Sequence, residues 1–109
     1  MSYVPNRGDV VWLHFDPQAG HEQAGHRLAL VLSPKKYNKL TNLMLCCPLT
    51  TVIKGYPFEV LTQLNDQTGV ILADQVKSLD WHARRAKKAG VVERMVLDEV
   101  LAKLEVLLW

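Results

Sequence analysis

Hydrophobic residues along this chain follow a period of two for most of its length and a period of 3.6 at its end. Asp9 to Phe15 is rich in β-branched and aromatic residues and reads as a strand. Val11, Leu13 and Phe15 share one of its faces, and Val10, Trp12 and His14 the other. Two largely apolar faces predict a strand covered on both sides, as in a closed barrel. Asp16-Pro17 stops it, and Gln18 to Arg27 is a polar loop holding Gly20 and Gly25. Leu28 to Leu32 is a second strand, ended by Ser33-Pro34, with Pro34 opening a helical turn through Tyr37. Leu43 to Cys47 is a third, closed by Pro48. Tyr56 to Leu61 and Val70 to Ala73 follow, with Asn65-Asp66 and Gly69 marking a turn between them. Gln75 to Trp81 reads as extended with an irregular alternation that fits a bulge.

After Gly90 the period changes. Val96, Leu97, Val100, Leu101, Leu104, Leu107 and Leu108 recur at helical spacing, and Arg94, Asp98, Glu99, Lys103 and Glu105 take other positions. This predicts one amphipathic helix from about Glu93 to Leu108, lying across the sheet, burying its leucine face and capping an open end of the barrel. Short strands followed by one helix give an α+β class, a small β-barrel with a C-terminal helix.

With 109 residues, 49% of them hydrophobic, residues 1–109 make one domain with a real core. No apolar run is long enough to span a membrane, and the first residues lack the apolar stretch of a secretory signal, so the cytoplasm is expected. Cys46 and Cys47 are adjacent, and strand neighbours point to opposite faces, so two free buried thiols are expected rather than a disulfide. No spacing suggests a zinc site. The net charge of +2 does not by itself mark a nucleic-acid binder. The basic run His82-Ala83-Arg84-Arg85-Ala86-Lys87-Lys88 reads first as a solvated loop.

Three stretches carry candidate chemistry. Gly20 to Arg27 packs Glu22, Gln23, His21, His26 and Arg27 into one loop. Arg27 has the planar donor fork that clamps a phosphate, and Glu22, His21 or His26 can move protons near neutral pH. Pro48-Leu49-Thr50-Thr51 ends the third strand, where a hydroxyl either satisfies nearby backbone or donates to a phosphate oxygen. Ala73 to Ser78 offers Asp74 and Gln75 to base edges and Lys77 to a backbone. No DxD pair, clustered carboxylate set, Walker loop or GxGxxG is present. Phosphodiester cleavage here is therefore expected to be metal-free and cofactor-free, which RNA permits because its 2′-hydroxyl is a built-in nucleophile.

Taken together, these motifs resemble the MazF/PemK toxins. Gly8-Asp9-Val10, Phe15-Asp16-Pro17 and Gly20-x-Glu22-Gln23-x-Gly25-x-Arg27 are similar to the family's opening block. Ser33-Pro34, Pro48-Leu49-Thr50-Thr51, Gly55-Tyr56-Pro57-Phe58 and Asp74-Gln75-Val76-Lys77-Ser78 follow in the family's order. The resemblance implies an SH3-like or CcdB-like barrel, a homodimer, and the toxin of a type II toxin–antitoxin system. It implies a sequence-specific endoribonuclease on single-stranded RNA, leaving 2′,3′-cyclic phosphate and 5′-hydroxyl ends. It also implies a cognate antitoxin whose flexible acidic segment covers the site. By position, Arg27 and Thr50 match the family's catalytic pair and Glu22 an acid needed for activity. RNA contacts are implied at Phe15, His21, Gln23, Lys54, Asp74, Gln75 and Lys77. Leu72 stands where the Kid/PemK branch has an arginine, and Leu28 where a proline often follows the loop arginine. Arginine is a poor base, so Glu22 or His26 is the expected proton acceptor. The alternatives are a CcdB-like gyrase poison acting through its C-terminal helix, kept in view by Trp109, and a small RNA-binding barrel without catalysis. Trp109 is otherwise expected to anchor a dimer or the core.

Overall fold

The computed structural model describes residues 3–15 and 25–109. Glu22, His21 and Gln23, and the side chain of Phe15, lie outside the described residues. The chain order is β1 (Asp9–Phe15), β2 (Gly25–Val31), α1 (Lys35–Thr41), β3 (Leu43–Thr50), β4 (Glu59–Leu64), β5 (Gln67–Leu72), β6 (Lys77–Asp80), β7 (Lys87–Val91) and α2 (Arg94–Leu108). The strands form one antiparallel sheet in the order β4-β5-β3-β2-β1-β7, with β6 also on β3.

β3 is the pivot. Leu43 to Cys46 pair with β6, Leu49 and Thr50 pair with β5, and its other edge pairs with β2. Two partners diverging from one strand curl the sheet into a half-barrel. The curl brings its outer strands together: a Cβ on Gly90 of β7 would stand 2.7 Å from Leu64 Cδ1 of β4. Pro48 does not end β3 as expected. The Leu45 N–H bonds Ser33 Oγ and the Leu45 carbonyl accepts from Leu32 N–H, so odd-numbered backbone groups here face β2. Pro48 nitrogen then faces the gap between β6 and β5, where no partner needs an N–H.

The β4–β5 hairpin turns on Asn65 (φ 52) and Asp66 (φ 67), both left-handed as a two-residue primed turn requires. Gly69 lies inside β5 rather than in the turn. α1 runs to Thr41, beyond the single turn expected. Its buried Asn38 explains this: Nδ2 donates to the Pro5 and Ser33 carbonyls at 2.8 and 3.0 Å, and its carbonyl accepts from Trp81 Nε1 at 2.9 Å. Lys87 and Lys88, the end of the basic run, open β7, which is a strand on β1 and not a loop.

α2 lies within one residue of its expected bounds. Only Leu97, Val100 and Leu104 are buried, packed on Val10, Leu30, Cys47, Val60 and Ile71. Leu101, Leu107 and Leu108 stay exposed, and Trp109 is 94% exposed, so Trp109 is no core anchor. A second cluster, Val11, Leu13, Ala29, Val31, Met44, Cys46 and Trp81, fills the opposite side of β1–β3. No described helix is long and apolar enough to cross a membrane.

Candidate active site

Leu28 of β2 pairs with Leu49 of β3. The same register carried one residue further sets Arg27 opposite Thr50, and Cβ atoms of residues so opposed lie about 5 Å apart. Arg27 also pairs with Leu13 of β1. Alternation puts Arg27 and Thr50 on the face of Leu13, Ala29 and Cys46. Lys77 pairs with Cys46 and joins that face. Arg27, Thr50, Lys54, Gln75, Lys77 and Arg84 border one open depression of about 990 Å³.

The depression is cationic, and a buried neighbour registers it. Burial pushes the Cys46 thiol up to about 11, while the charges of Lys77 and Arg84 pull it down. Arg27 itself is exposed near the start of β2. Thr50 Oγ1 accepts from Val52 N–H at 3.1 Å, which engages its acceptor and leaves the O–H as a donor. The hydroxyl thus satisfies nearby backbone and keeps a proton to donate.

The opposite rim, residues 51–58, is irregular but tied down. Glu59 accepts from the Lys54 N–H at 3.0 Å and the Gly55 N–H at 2.8 Å, with Gly55 left-handed at φ 83. This holds Lys54 at the rim. The Tyr56 hydroxyl donates to Asp74 Oδ1 at 2.8 Å, which raises its pKa. That bond joins the rim to the Asp74-Gln75 pair. Lys103 Nζ of α2 donates to the Pro57 carbonyl at 2.6 Å, anchoring the same loop from the helix side.

Arg27, Thr50, Lys54, Gln75 and Lys77 are thus brought to one depression, with Asp74 beside it through Tyr56. His26 differs from them. It pairs with His14 across β1–β2 on the other face, its ring 5.4 Å from the His14 ring and 6.2 Å from Trp12. Neighbours on a strand point to opposite sides, so His26 reaches the rim from the face opposite Arg27. Sequence reasoning missed Arg84, Glu59 and Tyr56 as site residues. Arg84 was hidden in a run that reads as solvated. An acid four residues after a glycine was the only sign of the Glu59 clamp.

The family model of PemK-like, MazF-like toxins of type II toxin–antitoxin systems matches residues 6–108. The chain belongs to this family. It is 54% identical over 106 residues to the endoribonuclease toxin MazF of Escherichia coli K12, covering 97% of this chain and 96% of that one. It is 32% identical over 107 residues to the Escherichia coli endoribonuclease PemK, covering 94% and 80%. A crystal structure of MazE–MazF from Deinococcus radiodurans superposes with a TM-score of 0.91 at 54% identity, covering 98% and 97%. The half-barrel with its C-terminal helix is therefore the fold of these MazF/PemK toxins, and the gyrase-poison alternative is not favoured.

Proposed function

We propose that this chain is the toxin endoribonuclease of a type II toxin–antitoxin system, cleaving single-stranded RNA at the Arg27–Thr50 depression without a metal. The observation that carries this is the opposition of Arg27 and Thr50 on one cationic depression, in a chain 54% identical to an endoribonuclease toxin. The ribose 2′-oxygen attacks the adjacent phosphorus, its proton passes to a base, and the 5′-oxygen leaves with a proton. The products carry a 2′,3′-cyclic phosphate and a 5′-hydroxyl. Arg27 neutralises the charge that builds on the phosphoryl oxygens, and the Thr50 hydroxyl donates to one of them. Lys77 and Lys54 hold neighbouring phosphates, and Asp74 and Gln75 present hydrogen-bonding groups to base edges. Glu22 or His26 accepts the proton: the family resemblance supports Glu22, and His26 borders the same depression.

A cognate antitoxin with an acidic segment is the expected partner, since a cationic depression favours it and the matched structures include MazE–MazF assemblies. The working form is a homodimer of single-domain chains in the cytoplasm. The test is purified protein with single-stranded RNA in EDTA, read by fragment-end chemistry. Cyclic-phosphate fragments are expected, and Arg27→Ala lowers the cleavage rate about a hundredfold or more with folding intact. RNA left whole by the wild-type protein, or full activity in Arg27→Ala, overturns the reading.

A further inference from the structure

The basic run 84–88 is not a uniform solvated patch, because β7 pairs with β1 and divides it between two faces. Arg84 borders the Arg27–Thr50 depression. Lys88 lies 3.8 Å from Asp9 Oδ1. Arg85 and Lys87 instead border a second depression of about 400 Å³, with Trp12, His14 and His26. Its size lies within the range of roughly 300–1,000 Å³ usual for small-ligand sites. Lys87 pairs directly with Trp12, and His14 with His26, so the aromatic row and the cations are set by strand register. Trp12 is 39% exposed, a large ring kept at the surface on a strand otherwise buried at Val10, Val11 and Leu13. Among the described residues, none that lines this depression is a carboxylate.

We infer that this second depression is a flanking-nucleotide subsite, where a base of the bound RNA stacks on Trp12 and His26 and its phosphate lies between Arg85 and Lys87. The inference rests on the proposed ribonuclease reading for the identity of the strand. Two observations carry it. Exposed aromatic faces interleaved with cations are the parts that bind single-stranded nucleic acid without reading sequence. Trp12 and His26 also border both depressions, so a strand seated at Arg27 and Thr50 continues onto them without leaving the surface. The subsite adds affinity and length dependence, not chemistry.

The test is binding, measured apart from cleavage. Fluorescent 2′-O-methyl RNA of random sequence, which lacks the nucleophile, is titrated by polarisation in a short and an extended form. The double variant uses Arg85→Asn, because Arg85 has φ 52 and asparagine adopts that conformation readily, together with Lys87→Ala. Trp12→Leu tests the stacking face. Lys36→Ala/Lys39→Ala removes equal charge from the exposed face of α1 as a control. The extended RNA is expected to bind each subsite variant about tenfold more weakly, with the short RNA unaffected by the double variant. The salt dependence of the double variant should flatten by about 0.7 per lost phosphate contact. Equal losses in the α1 control and the double variant, or equal losses of the double variant on short and extended RNA, overturn the subsite. A wild-type protein that binds extended RNA in this way but cleaves no RNA leaves the subsite standing and sinks the nuclease instead.

Discussion

Cys46 and Cys47 are neighbours in sequence and belong to different cores. Cys47 packs with Leu30, Ile71 and Val100 beneath α2, in a cluster built of aliphatic residues. Cys46 packs with Val31, Met44 and Trp81 beneath the face that carries Arg27 and Lys77. One region is closed by a helix and does nothing but hold. The other is closed by a tryptophan at one end and left open at the other, where the same strands run out into polar residues. The difference shows how one set of strands supports both tasks. In β1 and β2 one end, residues 9–11 and 29–31, is buried on both faces, His14 and Arg27 lie toward the other end, and Thr50 ends β3. Site residues near strand ends gain the rigidity of the ladder while keeping access to solvent.

The sharpest break of this comparison is Leu30→Ala. Leu30 is fully buried in the helix-side cluster, and its truncation should cost about 2–5 kcal/mol in urea unfolding. Turnover per folded molecule should be unchanged. Loss of turnover at undiminished stability would mean that the two regions are not separable in this way.

Gly69→Ala should couple them. A Cβ there would stand 2.8 Å from the Thr50 carbonyl oxygen, a backbone atom with no rotamer to escape into. The strand must shift, at about 1–3 kcal/mol. Because the shifted residue carries the site hydroxyl, cleavage should also fall by about tenfold or more. Turnover equal to wild type in this variant would remove Thr50's position from the argument.

The sequence made some of this arrangement legible and concealed the rest for identifiable reasons. Asp9–Phe15 and α2 announce themselves because their apolar periods are strong. Asn65-Asp66 marks its turn because few residues accept a left-handed conformation. Lys87–Val91 carries no such period; it is a strand only because β1 offers an edge, which is tertiary information. Pro48 reads as a terminator unless one knows that β3 changes partner beside it. The family motifs identify Arg27 and Thr50, but the face on which His26 lies follows from register, which no motif states. Tyr56 was visible as part of a block, yet its bond to Asp74 joins residues 18 positions apart and needs the folded chain.

The smallest effect is electrostatic and separates the two thiols. Burial pushes Cys46 to about 11 and Cys47 to about 12, from the ordinary 9.0. Only Cys46 is pulled back by Lys77 and Arg84; Cys47 is pushed further by Cys46 and Asp74. A folded-state value above the ordinary one means that the neutral buried thiol contributes stability in full below about pH 9. That contribution declines as pH climbs through 11. Lys77→Gln removes a charge that favours the thiolate, so it should move Cys46 upward and leave Cys47 nearly still. The exposed side chain itself contributes little to packing, so stability at neutral pH should hold. Carbon NMR of selectively labelled cysteine resolves both groups in one alkaline titration. If the two thiols move together, the field of the depression reaches through β3 and the two faces are electrically one. If Cys46 moves alone, the depression's charge is confined to the face where Arg27 and Thr50 stand.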